Sequence, residues 1–401
     1  MAALLVLFMV AVTPWAAEGI QPLFEMRTFG GPYEDWGACV VALEDGGALV
    51  CGRGSISYLS HAVMPGDASL IRVDEEGNVL WERHYGGADG GFNEVIQVDE
   101  SAFAAAGTLA GSPPQTDADI FYIKVDSDGN EIWMHTYGGK GADEGSRIRE
   151  TADGGFVIAG AIYDSRPTEG LHLGRLYLIR TDAQGKRLWA RPYGEHLLYL
   201  AYGLEETPDG GFVISGWEAL THDDRVFVAI KVDSTGTMEW KRTWDLVPGD
   251  GDLAFDMILT SDNHLVLAGL QAAYEGPQLA ALVKLDLDGN EVWVKRYPRQ
   301  DGESQFWEIL EDVDGGYVMA GAVVTDRDVE TGMTRRCGLV LKTDRDGTVL
   351  WQATHEDPAH REIHFGGIAI HPEGGYVLTG NACREGDDQD DFLWARLTWL
   401  D

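Results

Sequence analysis

The chain has 401 residues and carries 66 acidic side chains against 30 basic ones, a formal charge of −36 at pH 7. A field of that sign repels polyanions, which excludes nucleic acid as a partner and leaves a soluble, self-repelling surface. Hydrophobic residues at 44% suffice for a large core, and the 51 glycines recur at fixed places, so they mark turns and not disorder.

Ala2 to Val12 is an unbroken apolar run, too short to span a bilayer and of the length of a signal-peptide core. Ala16 and Ala17 offer the small residues of a cleavage site. Residues 1–17 are therefore expected to be a leader, with a mature chain starting near Glu18 that is secreted, periplasmic or held at the cell surface. No other stretch approaches transmembrane length.

From residue 22 onward the chain repeats one unit. Its first piece is a strand ending in an acid-glycine turn: Glu44-Asp45-Gly46-Gly47, Asp153-Gly154-Gly155, Asp209-Gly210-Gly211, Asp314-Gly315-Gly316 and Glu373-Gly374-Gly375, with Glu100-Ser101 and Asp262-Asn263 as degenerate copies. The glycines are expected to supply the positive φ of two-residue hairpin turns. The second piece is a continuous apolar strand closed by glycine: Gly52, Gly107, Gly160, Gly216, Gly269, Gly321 and Gly380. Continuous hydrophobicity predicts a strand packed on both faces, and the closing glycine predicts a bend or a close backbone approach. A variable loop follows, SRPTEGLHLG or TDRDVETGMTRR for example. The fourth piece is a basic hairpin, of which LIRVDEEGNVLWERHYGG and LYLIRTDAQGKRLWARPYG are two of six full copies.

The acid-glycine turn occurs seven times and the tryptophan strand six. Leu23 to Gly31, LFEMRTFGG, matches the missing outer strand. The expected fold is all-β: a seven-bladed β-propeller of four-stranded blades over residues 22–401, closed by residues 22–31 joining the C-terminal blade. The repeat resembles that of the quinoprotein-dehydrogenase-like propellers, whose blades carry an Asp, a turn Gly and a Trp on the next strand, here Asp74, Gly77 and Trp81. That resemblance implies the fold and not the activity. The Asp–Gly spacing is one residue shorter than that family's motif, and the adjacent cysteine pair of its alcohol dehydrogenases is absent. Within propellers a kelch reading comes second, because kelch glycine pairs end their apolar strand whereas these precede it.

Arg72, Lys124, Arg180, Lys231, Lys284 and Lys342 each precede a tryptophan by nine residues (Trp81, Trp133, Trp189, Trp240, Trp293, Trp351), a register that places them opposite it across the hairpin. A cation–π pair in each blade is the expectation. At the closure, Arg396 is expected to face Glu25 as an ion pair. Cys39 and Cys51 lie on opposite arms of one hairpin; a disulfide and two buried thiols both stay open. With Cys337 and Cys383 they show no C-x-x-C spacing.

Aligning the acid-glycine turns puts Cys39, Glu94, Arg147, Gly203, Asp256, Glu308 and Gly367 at one position of the channel rim. Ala38, Asn93, Ser146, Tyr202, Phe255, Trp307 and Gly366 fall at the next. Glu94, Arg147, Tyr202, Phe255, Asp256, Trp307 and Glu308 are thus the candidate ligand-binding residues, suited to a cationic or sugar-like molecule. His355, His360 and His364 form the densest group of candidate metal ligands. Asp126 to Glu131 and Asp286 to Glu291 look like fragments of a calcium loop, but sister turns lack the second acid, and Asp, Asn and Gly are ordinary hairpin formers, so no cofactor is expected. No Ser/His/Asp order, nucleophile elbow or phosphate loop is present. The sequence thus reads as an exported, monomeric, non-enzymatic binding or scaffold protein with a protein or glycan ligand at its loop face. The alternative is an enzyme (hydrolase, lyase or quinone-dependent dehydrogenase) with its site at the channel mouth.

Overall fold

The computed structural model describes residues 6–9, 21–29, 35–54, 68–86, 90–110, 118–139, 141–163, 174–194, 199–221, 224–247, 251–272, 278–298, 303–327, 334–386 and 390–400. The expected cleavage site, Gly30 and Gly31 of the closing strand, and the loop at 164–173 lie outside these residues. Among the described residues there are strands and no helix, and so no helix long and apolar enough to cross a membrane.

Seven four-stranded antiparallel blades follow one another: 35–85, 90–137, 144–193, 199–244, 253–297, 304–355, and 360–400 with Gln21–Phe29 as its fourth strand. Val6–Met9 adds a further antiparallel strand outside Gln21–Phe29. Strand order in each blade is sequence order, and the first strands of neighbouring blades touch, so they form the innermost ring. Blades 6 and 7 are also bridged by a parallel pair, Arg336 with Glu362. The hairpin of blade 6 runs into the expected variable loop, with Asp326 paired to Arg335.

Second strands are apolar throughout because they serve two cores at once. Phe156 and Ile158 enter the cluster between blades 2 and 3, while Val157 and Ala159 enter the one between blades 3 and 4. Seven such clusters exist among the described residues, one per interface, and the seventh joins Val50 and Ile71 of blade 1 to Phe392 and Trp394 of blade 7. The ring is closed.

The acid-glycine turns contain three residues, not two, and their two glycines have separate reasons. Gly46, Gly154, Gly210 and Gly315 take φ between 78 and 81°, the left-handed residue that ends a type I turn in a three-residue hairpin. The second glycine of the pair faces the third strand: a Cβ on Gly47 would strike the Val73 carbonyl, and one on Gly155 the Thr181 carbonyl. In blade 5 Asn263 takes the positive φ (59°), a substitution asparagine tolerates better than most residues.

All six basic residues stand opposite their tryptophans in register. The expected cation–π contact is replaced by another. Each of five cations is buried and turns away from the indole to the acid of its own blade's first turn: Arg72 to Asp45 (2.5 Å), Arg180 to Asp153, Lys231 to Asp209 (2.5 Å), Lys284 to Asp262 (3.1 Å) and Lys342 to Asp312 and Asp314 (2.5 and 2.6 Å). A buried cation gains more from a carboxylate than from a ring, and the carboxylate sits at the mouth of its crevice. Blade 2 has the degenerate turn, and there Lys124 lies 5.9 Å from the Phe156 ring of blade 3.

The freed tryptophans pack forward onto the next blade. Gly129, Gly185, Gly236, Gly289 and Gly347, each at positive φ in a third-to-fourth-strand turn, lie against Trp81, Trp133, Trp189, Trp240 and Trp293 of the preceding blade. At the closure Gly77 meets Trp394 and Arg27 instead, so a third-strand indole fills the place left without a tryptophan at Glu25. Glu25 stands opposite Arg396 as expected. The ion pair does not follow that register, because Arg396 reaches Glu75 of blade 1 (3.1 Å) and Glu373 (3.3 Å).

Candidate functional site at the channel

Every first strand carries a β-bulge at the same place, and those of blades 2 and 7 have a second irregularity elsewhere. The register skips Ala38, Asn93, Ser146, Tyr202, Phe255, Trp307 and Gly366. These seven are the second rim position of the sequence alignment. Opposite each bulge stands the glycine that closes the second strand. A Cβ on Gly52, Gly107, Gly160, Gly269, Gly321 or Gly380 would collide with the carbonyl of Trp36, Gly91, Glu144, Leu253, Gln305 or His364. The close approach expected of those glycines is thus the space the bulge needs.

The bulge residues of blades 4, 5 and 6, with Trp36 two residues before the blade 1 bulge, build an aromatic arc. Tyr202 meets Phe255 edge-on at 5.7 Å, Phe255 lies 4.3 Å from Trp307, and Trp307 meets Trp36 edge-on at 6.4 Å. Blade 7 contributes Gly366 here, and the Trp36 indole nitrogen lies 3.7 Å from where its Cβ would be. Glycine in that blade lets blades 1 and 6 meet across it. The Trp36 indole is 38% exposed and lies 5.6 Å from the Arg53 guanidinium. The far side of the ring is small and polar, with Asn93 donating to the Gly145 carbonyl (2.6 Å) and Ser146 to that of Ala159 (3.2 Å).

Beside this layer lie the charged rim residues, and the structure gives them a second task. Glu94 accepts the backbone N–H of Ile148 (2.5 Å), Asp256 that of Ile309 (3.0 Å) and Glu308 that of Ile368 (2.8 Å). Each carboxylate therefore staples its blade to the first strand of the next. Arg147 spans blade 4, where Gly203 has no side chain, lying 3.6 Å from Asp256 and 3.8 Å from Glu94 and donating to the Phe255 carbonyl (3.2 Å).

Arg149 and Glu205 belong to the same network and were missed in the sequence. Arg149 pairs with Glu94 (2.5 Å) and Glu205 (3.3 Å). Both stand two residues beyond the aligned rim position, on the same strand face, so the period of two was the signal. Burial pushes Glu205 up to about 7. It also raises Asp256 and Glu144, and it raises Glu308 well above the carboxylate range, with Cys39 and Asp256 adding to the effect. Burial opposes the charge on Arg147 and Arg149, but the surrounding acids outweigh it and raise both.

The three histidines do not converge. His355 is buried against Phe24 of the closing strand, ring centroids 4.9 Å apart, and burial lowers it to about 4. His360 bonds Asp357 through Nδ1 (2.8 Å), and His364 lies 3.3 Å from Glu362. Among the described residues no group of three His, Cys, Asp or Glu is placed to hold a metal ion. In the calcium-like turns the oxygens of Asp126 and Asp286 accept hydrogen bonds from Asp128, Asn130, Asp288 and Asn290 within the turn itself.

No protein-family model matches the sequence, and no curated protein does. Solved structures do resemble the fold. A protein of unknown function from Dyadobacter fermentans is 11% identical with a TM-score of 0.51, over 96% of this chain and 100% of that one. The WD40 domain of Neurospora crassa Pan2 is 10% identical with a TM-score of 0.51, over 92% and 97%. A glucose dehydrogenase is 15% identical over 83% and 99%, but its TM-score of 0.40 carries no argument about activity. The likeness is one of fold.

Proposed function

We propose that the protein is an exported, non-enzymatic binding propeller that takes a glycan at the mouth of its channel. One observation carries this reading: the bulge residues Tyr202, Phe255 and Trp307, with Trp36 two residues before the blade 1 bulge, form one aromatic arc over four blades, while blades 2 and 3 place Asn93 and Ser146 at the same position. A sugar ring has the matching asymmetry, an apolar face for an indole and hydroxyls for the polar side. Glu94, Asp256 and Glu308 at the rim each commit an oxygen to a backbone N–H of the next blade, which gives these carboxylates a structural task.

The test is an oligosaccharide binding screen on the purified protein, with Trp36→Ala and Trp307→Ala beside it. A ligand found for the wild type should lose at least tenfold in affinity in both variants while the unfolding midpoint moves little. Unchanged affinity in both variants, or a wild type that binds proteins and no glycan, refutes the reading. Export is tested separately: N-terminal sequencing of protein from outside the cytosol should begin near Glu18.

A further inference from the structure

Cys39 and Cys51 are partners in the antiparallel ladder of blade 1, Cys39 being the residue just past the bulge. Both are buried, at 7% and 0% exposure. Directly opposed on the ladder, the two side chains share one face of the sheet as free thiols, and the neighbouring Cys51 thiol and burial raise the Cys39 thiol well above its usual range. Directly opposed residues of antiparallel strands hold their Cα atoms about 4.5–5.5 Å apart, inside the roughly 4.4–6.8 Å that a disulfide spans.

Three of the six other blades use this position as a staple, whereas blades 3, 4 and 7 hold Arg147, Gly203 and Gly367 at the first place. The stapling pairs equivalent to Cys39 and Cys51 are Glu94 with Ala106, Asp256 with Ala268, and Glu308 with Ala320. In each of those blades the first member staples the next blade by accepting its backbone N–H. Cys39 instead points its thiol at the Val95 carbonyl (3.6 Å), a weak contact. Blade 1 thus lacks the carboxylate staple and has two facing thiols in its place.

We propose that Cys39 and Cys51 are joined by a disulfide that fixes the first blade at the channel wall. The oxidant is a small-molecule or protein disulfide. A thiolate of one cysteine attacks it, forming a mixed disulfide and releasing one thiol. The thiolate of the second cysteine then displaces the other half. One S–S bond forms and one breaks, both cysteine protons leave, and the two electrons go to the oxidant. Because both thiols are buried in the finished blade, the exchange takes place during folding.

The full chain, refolded with oxidised glutathione, is alkylated under denaturing conditions without reductant and mapped by peptide mass spectrometry. Two of the four cysteines should resist alkylation, and Cys39 and Cys51 should appear in one cross-linked peptide with Cys337 and Cys383 alkylated. Alkylation of all four, glutathione adducts, or a link through Cys337 or Cys383 overturns the proposal. Cys51→Ala is the second arm, since four other blades hold alanine there. Reductant should lower the wild-type unfolding midpoint and leave the variant's unmoved; an unmoved wild type also overturns it. Neither arm uses glycan binding or export, so those readings stand or fall apart from this one.

Discussion

The phenolic hydroxyl of Tyr85 in blade 1 donates to the carbonyl of Gly129 in blade 2 at 2.7 Å, and the Trp81 ring packs on that same glycine. Tyr193 with Gly236 (2.7 Å) and Tyr297 with Gly347 (3.1 Å) repeat the arrangement, with Trp189 and Trp293 as the packing rings. A Trp and a Tyr four residues apart on the fourth strand thus clasp one turn of the following blade.

That clasp separates two costs of replacing a glycine. Gly154 and Gly236 both have φ of 78°, but a Cβ meets nothing within 4 Å at Gly154 and Trp189 and Arg191 at 3.0 Å at Gly236. Gly154→Ala should cost only the left-handed backbone, about 1–2 kcal/mol. Gly236→Ala should cost a further 1–3 kcal/mol or so from overpacking. Equilibrium denaturation of the two variants checks the difference; equal losses would show that the indole does not hold the seam.

The turn acids should make the blades acid-sensitive. Lys231 and Thr207 hold Asp209 at about 2 against the burial that would raise it. Its folded value lies below the unfolded one, so its stabilisation is full above pH 4 and is lost as pH falls toward 2. The Asp209 carboxylate is 58% exposed, which limits the pair to roughly 1 kcal/mol. Lys231→Met should flatten the acid limb of stability against pH. Asp209→Ala should cost more at pH 7, because it leaves a buried ammonium with Glu239 alone.

Glu205 should act in the opposite direction. Burial raises its folded value to about 7, so its contribution is full below about pH 4.5 and is lost as pH rises through 7. Glu205→Gln should gain on the wild type by roughly 1–3 kcal/mol between pH 6 and 9. A profile identical to the wild type would place that carboxylate in water.

His355 sets a second acid limb at the closure. Burial brings it to about 4, with Asp357 raising it and His360 lowering it. The neutral ring's stabilisation against Phe24 is present above pH 6.5 and is lost as pH falls toward 4. His355→Phe should remove that loss, read as the midpoint between pH 7 and 4. A variant with the same acid dependence would exclude His355 as its source.

At the same junction Arg396→Glu should destabilise by setting a carboxylate against Glu75 and Glu373, whereas Glu25→Arg should stay within about 0.5 kcal/mol. A larger effect of Glu25→Arg would restore the ion pair that the register alone implies.

Blade number, strand order and the Arg72–Trp81 register were legible because turn glycines and tryptophans recur at fixed spacing. Side-chain direction was not. Arg72 reaches Asp45 across the intervening strand, and no local spacing says whether it will choose that acid or the indole opposite it. The rim alignment found Tyr202, Phe255 and Trp307 together but not the bulge that explains them, since a bulge is a fault in pairing and leaves no residue type behind. The staples were hidden for a related reason: Glu94 bonds a backbone N–H some fifty residues away, and every residue but proline has one.

The bulge has one more implication. An extra residue takes no part in the ladder, so its side chain is released from the alternation that governs every other position of the strand. Seven such residues stand at one position of the inner ring, and their identities run from glycine through asparagine to tryptophan within a single molecule. The ring works as a set of fittings on a fixed frame: the lining of the channel can be rewritten, with the strand pairing and the turns left as they are, wherever the bulge residue holds no seam of the kind that Asn93 makes on the Gly145 carbonyl and Gly366 beside Gly37.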